Sequence, residues 1–428
     1  MSALSSESMG TLLLRRWRDP LAWIATADII AGLLAISLPW STSLVAIFAS
    51  AFLVSLAPFF DARAFLQVLH RPICTLPIAL FALAAVGTLW SDAAWGVRLY
   101  AVGPTVKLLM LPALFYHFER SGRGLWVFLA FLIACVLLMG LSWIVLFFPQ
   151  LKVTSTQSVG VPVKNYIDQS QEFALCAVAL AYPIVGLLRA NRFSQAVLLV
   201  AISLSLVANM VFVIVSRTAL VTIPVMLAVF ALLHLKWRSV VVIFCTMALF
   251  AGLAWTVSPQ MRSTTTTLTR DYELYRDRNI PTSGGLRLEY WKKALRFFAE
   301  APILGHGTGS TRGLFERAAV GQVGAGADVV GNPHNQTLYM AVQWGVIGII
   351  ALFAMWFVHL TMFRGDGLAN WIGLLVVVQN IFTSLFNSHL FDFHEGWMYV
   401  LGVGVAGGMV LSKTPHQAAM ATEQPVRS

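Results

Sequence analysis

Apolar runs close to twenty residues long recur along most of this chain, and each is long enough to cross a bilayer as a helix. The spans expected are 22–40, 42–60, 73–90, 99–117, 124–148, 170–188, 195–215, 218–235, 239–256, 335–359, 369–386 and 397–412. Lys107 interrupts the fourth. Hydrophobic residues make up 58% of the sequence and charged ones only 11%, against about 25% in soluble domains. The expected fold class is an all-α polytopic membrane protein of about twelve transmembrane helices. It divides into helices one to nine (1–256), a large loop with amphipathic helices (257–334), and helices ten to twelve with a C-terminal tail (335–428). No cleavable signal is expected, because the first span is long and only a basic cluster precedes it.

Lys and Arg set the orientation. With the N-terminus inside, the inner segments hold fourteen of them. The short outer segments and the fourth span hold five: Arg98, Lys107, Lys152, Lys164 and Arg217. This is the positive-inside bias, and it puts 257–334, with the remaining ten, on the outer side. The net charge of +10 is thus mostly a topology signal. No helix-turn-helix, zinc-finger spacing or aromatic–basic platform points to nucleic acid. Cys74, Cys135, Cys176 and Cys245 fall far apart within spans and read as small apolar fillers, not a disulfide framework or metal site.

Polarity concentrates in the outer segments. The stretch 149–169 is polar and reads as irregular. The loop 257–334 is far longer than a structureless connection usually runs, and it holds enough aromatic and apolar residues to fold. Within it, 286–299 has helical spacing, with Leu288, Trp291, Leu295 and Phe298 as an apolar stripe and Lys292, Lys293 and Arg296 elsewhere. A basic amphipathic helix of this kind is also what a helix lying on lipid headgroups looks like. Arg287 falls in its first turn, where the helix dipole disfavours a cation unless an anion shares the place.

Arg217 is the only Lys, Arg, Asp or Glu between Gln195 and Leu235. Such a group faces a polar cavity, or it sits in an outer turn and snorkels. Gly305 and Gly307 lie in a glycine-rich turn that could bring backbone amides to phosphate, yet the turn lacks the Lys-Ser/Thr ending of a nucleotide loop. In Asn332-Pro333-His334-Asn335 the proline restricts Asn332 and can open a helix that Asn332 caps. His334 is then either a structural histidine or an imidazole poised to take a hydroxyl proton. The last outer loop, 387–396, carries His389, Asp392, His394 and Glu395, as a cation site or as a hydrogen-bonded interfacial loop.

Taken together these features resemble the O-antigen ligase family, within the wider ligase and polymerase superfamily. The resemblance rests on Ser216-Arg217-Thr218-Ala219-Leu220, Leu286-Arg287 through Tyr290-Trp291, Pro302 through Gly307, and His334-Asn335 with Gly345 and Gly348 after it. It implies a glycosyltransferase of the bacterial inner membrane with its site facing the periplasm, needing neither metal nor cofactor. Its partners would be an O-antigen on undecaprenyl pyrophosphate, lipid A–core and membrane lipids. By the same resemblance Arg217 and Arg287 would grip the pyrophosphate and His334 would serve the acceptor hydroxyl. Asn335, Trp291, Asp392, Gly305 and Gly307 would contact substrate. A polymerase, a protein O-oligosaccharyltransferase and a transporter of lipid-linked sugars are the alternatives. Transporters often show helices broken near the midplane, whereas here the unusual chemistry crowds the outer face.

Cysteines introduced at Thr266 and Gly326 are expected to react with an impermeant thiol reagent in intact spheroplasts, and one at Asn191 is not. The reverse pattern would overturn the orientation.

Overall fold

The computed structural model describes residues 19–154, 158–214 and 216–422, with the side chains of 217, 220, 260, 261, 264, 265, 268 and 413–422 excepted. The leading basic cluster (Arg15, Arg16, Arg18) and Arg427 lie outside the described residues, as do the side chains of Arg217 and Lys413.

Among the described residues the chain is helical, with no strand. Nine helical stretches are long and apolar enough to cross a membrane, and two shorter apolar helices, Val221–His234 and Leu368–Thr383, join them. The last helix, Phe393–Thr422, lies where the final span is expected. Polar caps open many of these helices, as hydrogen-bonding side chains do where backbone N–H groups lack partners. Asp19, Ser41, Asn165 and Asn335 each accept from an N–H in the first turn that follows.

Lys107 does interrupt its span. It begins a single 3₁₀ turn, Lys107–Leu109, between Trp95–Val106 and Met110–Phe118. Its ammonium is buried and donates to the backbone carbonyls of Phe391 (3.2 Å) and Asp392. One buried cation thereby ties this span to the loop before the last helix.

Between Val257 and Gln336 the chain folds instead of looping. The helix Pro259–Arg278 follows the span Trp237–Val257 almost directly. Sequence gave little sign of it, because its run of four threonines is β-branched and weakly helical and it lacks an apolar stripe. The amphipathic helix runs Ser283–Glu300, capped by Thr282, and a shorter helix, Thr311–Ala319, follows.

The expected stripe on the amphipathic helix is displaced. Leu288 and Leu295 are 40% and 56% exposed, while Tyr290, Ala294 and Phe297 are buried against Leu314, Phe315 and Val342. Both faces carry apolar residues, and the neighbouring helix decides which one is covered. Lys293 turns inward to donate to the Gly326 carbonyl at 2.5 Å, and the Tyr290 hydroxyl donates to Asp328.

The helix Gln336–Met362 is kinked at Gly345, whose φ is +61°. The turn from Pro302 to Gly309 inserts at that break. His306 N–H donates to the Val342 carbonyl (2.9 Å), Gly307 N–H to that of Gln343 (2.8 Å), and Val346 N–H to that of Pro302 (2.8 Å). A Cβ on Gly345 would stand 2.3 Å from the Ile303 oxygen. Gly345→Ala is therefore expected to cost about 2 kcal/mol or more, from positive-φ strain together with the collision. Gly252→Ala, where a Cβ meets nothing within 4 Å, is the control. Thermal unfolding of the two purified variants measures the difference.

Candidate active site

The site is built where the start of the kinked helix meets the segment 384–392. Pro333 fixes the local turn, and the Asn332 Oδ1 accepts from both His334 N–H (2.9 Å) and the Ser388 hydroxyl (2.7 Å). This sets His334 at φ +53°, in the left-handed region. Residues with a Cβ occupy that region at a cost of roughly 1–2 kcal/mol. Asn335 then caps the helix: its Oδ1 accepts from Leu338 N–H (3.0 Å) and its amide donates to the Leu385 carbonyl (3.1 Å). Asn332 thus shapes the turn and Asn335 provides the cap. With its amide engaged at both ends, Asn335 acts on the site through the backbone.

The His334 ring is half-buried, with its Nδ1 2.8 Å from Asn387 Oδ1. The Asn387 amide in turn donates to Asp392 Oδ2 at 2.7 Å. The Tyr290 ring stands 6.0 Å away, centre to centre, which joins the amphipathic helix to the same place. Burial pushes the His334 pKa below its usual value, the Asn387 contact opposes this, and the Arg287 guanidinium adds to the lowering. The same guanidinium acts on His389, which burial pushes down to about 3. Arg287 is the fifth residue of its helix, just past the first turn in which it was expected. The helix dipole fades there, so its nearness to the two imidazoles is the more telling feature.

Burial also raises Asp392, to about 7, against the lowering effect of the Lys107 ammonium. Its loop turns inward. His394 Nδ1 meets Asp168 Oδ2 at 2.5 Å, and His389 Nε2 lies 4.0 Å from Glu395. The loop is thus hydrogen-bonded and packed against the helix Tyr166–Ala179. Among the described residues no group of three or more His, Cys, Asp or Glu is disposed to hold a metal ion.

The turn glycines have other work. Gly305 N–H donates to the Ala301 carbonyl, Gly307 N–H to that of Gln343, and Gly309 N–H to the Gln343 side chain. Cβ atoms at Gly305 and Gly307 would come within 2.6 Å of backbone atoms of the kinked helix and of Ser91 respectively. These glycines permit close packing, and their amides are engaged within the protein. Trp291 packs beside the cluster around Phe297, and its indole N–H is enclosed without a hydrogen-bond partner among the described residues. Arg217 opens the helix Arg217–His234 directly after the cap Ser216.

Asn387, Lys107 and Asp168 were not singled out as site residues by sequence. Asn387 stood inside the polar loop already marked, and Asp168 with Glu172 opens an otherwise apolar span, a signal that was available. Nothing in sequence pairs Lys107 with a loop some 285 residues further on.

A polytopic all-α membrane protein with a polar site at one rim of its bundle is the class that fold and geometry define. Residues 202–353, roughly a third of the chain, match the family model described as O-Antigen ligase. Arg217, Arg287 and His334 all fall inside the matched range, and Asn387 and Asp392 fall outside it. No curated protein gives a match to the chain.

Proposed function

We propose that the protein transfers an O-antigen glycan from undecaprenyl pyrophosphate to a hydroxyl of lipid A–core, at the periplasmic face of the inner membrane. The acceptor oxygen attacks the anomeric carbon, the bond from that carbon to the pyrophosphate oxygen breaks, and the lipid pyrophosphate leaves as an anion. The acceptor proton passes to His334. Attack opposite the leaving group inverts the anomeric centre.

One observation carries this reading. His334 is pinned by side chain and backbone in a strained conformation, is pushed toward its neutral form, and lies within electrostatic reach of Arg287. A neutral imidazole accepts a proton, and a nearby guanidinium suits the oxygens of a departing pyrophosphate. With Arg217 on the same group, the arginines stabilise the growing charge in place of a metal. Deletion of the gene, followed by lipopolysaccharide electrophoresis, tests the acceptor. Bare core with accumulated lipid-linked polymer indicates ligation, and single repeats on core indicate a polymerase.

Arg217→Ala and Arg287→Ala are each expected to lower turnover on the order of 10²–10³, as for loss of a transition-state donor, and Lys is expected to substitute poorly. Wild-type turnover by either Ala variant with purified lipid-linked donor would refute that residue's role.

The backbone at His334 dictates the informative variant there. Alanine adds left-handed strain, whereas asparagine tolerates that region. His334→Asn is expected to fold, bind donor and lose about 10²–10⁴ in rate. In the native enzyme the base must be neutral. Because its pKa is lowered, activity is expected to hold through neutral pH and to fall only below the usual imidazole value of about 6.5. A profile of kcat/KM against pH checks this, and an acidic limb lying above that value counts against it.

A further inference from the structure

We infer that Asn387, its amide oriented by Asp392, is a positioning residue that fixes the tautomer of His334, holding the proton on Nδ1 and leaving Nε2 free to act as the base. The inference rests on the reading of His334 as the proton acceptor.

The geometry runs through three side chains. Asp392 Oδ2 lies 2.7 Å from the Asn387 amide nitrogen, and Asn387 Oδ1 lies 2.8 Å from His334 Nδ1. Above its raised pKa of about 7 Asp392 is a carboxylate, whose oxygens accept and do not donate. Turning the amide over would set its oxygen against that carboxylate, so the carboxylate selects one orientation. The amide oxygen facing His334 can only accept, so Nδ1 must carry the proton. Neutral imidazole carries one ring proton, and Nε2 is left with its lone pair.

Asp392 is itself held in place. Lys107 donates to the carbonyls of Phe391 and Asp392, and Asp392 N–H bonds the Ser388 carbonyl at 3.0 Å. Ser388 in turn reaches Asn332, which fixes the His334 backbone. Ring and backbone are thus referenced to the same short loop.

Interposing an amide has a chemical consequence. A carboxylate bonded directly to Nδ1 would stabilise the imidazolium and raise its pKa, protonating the base where it must be free. The neutral amide transmits orientation while keeping that charge one residue away. As the reaction proceeds, the Nδ1–H···O bond persists and supports the imidazolium that forms.

The tautomer is read directly by nitrogen NMR of purified protein labelled with ¹⁵N-histidine, with the His334 signal assigned by its loss in His334→Asn. At a pH above the raised Asp392 pKa of about 7, wild type is expected to show a protonated Nδ1 and an unprotonated Nε2. Asn387→Leu is expected to move the proton to Nε2 and to lower kcat on the order of 10², with donor KM near wild type. Asp392→Asn leaves the amide free to turn over and is expected to give mixed tautomers with intermediate kcat. Asn387→Asp keeps an acceptor at that position, so Nδ1 should stay protonated while the acidic limb of the pH profile moves upward. A proton on Nε2 in wild type, or one that remains on Nδ1 in Asn387→Leu, overturns the inference. Near-native transfer by His334→Asn instead removes the base itself, whatever the tautomer result.

Discussion

A break in a helix leaves backbone groups that its own turns no longer satisfy, and the rest of this structure depends on how the break at Gly345 is closed. Gly345 stands nine residues beyond Gln336, about 13 Å along the helix axis. The break is buried, and a backbone group left unpaired there costs about 1–3 kcal/mol. The turn from Pro302 to Gly309 supplies the partners, and Gln343 adds its side chain to the Gly309 amide. The helices Ser283–Glu300 and Thr311–Ala319 are anchored by that satisfied backbone and by the small core around Phe297, Phe315 and Val342. The same kink sets the direction of the helix start that carries His334.

The second determinant is a set of buried ionisable groups. Lys107, Asp168, Glu172, His389, His394 and Glu395 are all enclosed, and they converge where three spans meet the last loop. Ionisable groups at membrane depth are retained when they face each other or a polar site. Here they back the wall behind the Asp392–Asn387–His334 series and keep its loop from sliding.

Much of this was legible in sequence, for reasons that also explain what was not. Among the described residues nine expected spans coincide with helices long and apolar enough to cross a membrane and two with shorter apolar helices, because a bilayer imposes a minimum run of some twenty residues that needs no partner to be recognised. The turn at Pro333 was legible because proline restriction is local, but the cap falls to Asn335 and not to Asn332. The buried stripe was misplaced because Leu288 and Tyr290 are comparably apolar, and only the packing of Phe315 chooses between them. The turn glycines suggested free amides because sequence does not show what a backbone N–H faces. Asn387 passed unnoticed since its meaning comes from an imidazole 53 residues earlier.

That separation also orders events during synthesis. A nascent chain that has emerged as far as Thr383 already contains Arg217, Arg287, His334 and the glycine-closed kink. It still lacks the asparagine that orients the imidazole, the serine that braces Asn332, and the loop that Lys107 grips. The His334 ring is therefore held in place only once the segment 384–392, some fifty residues later in the chain, has folded against it.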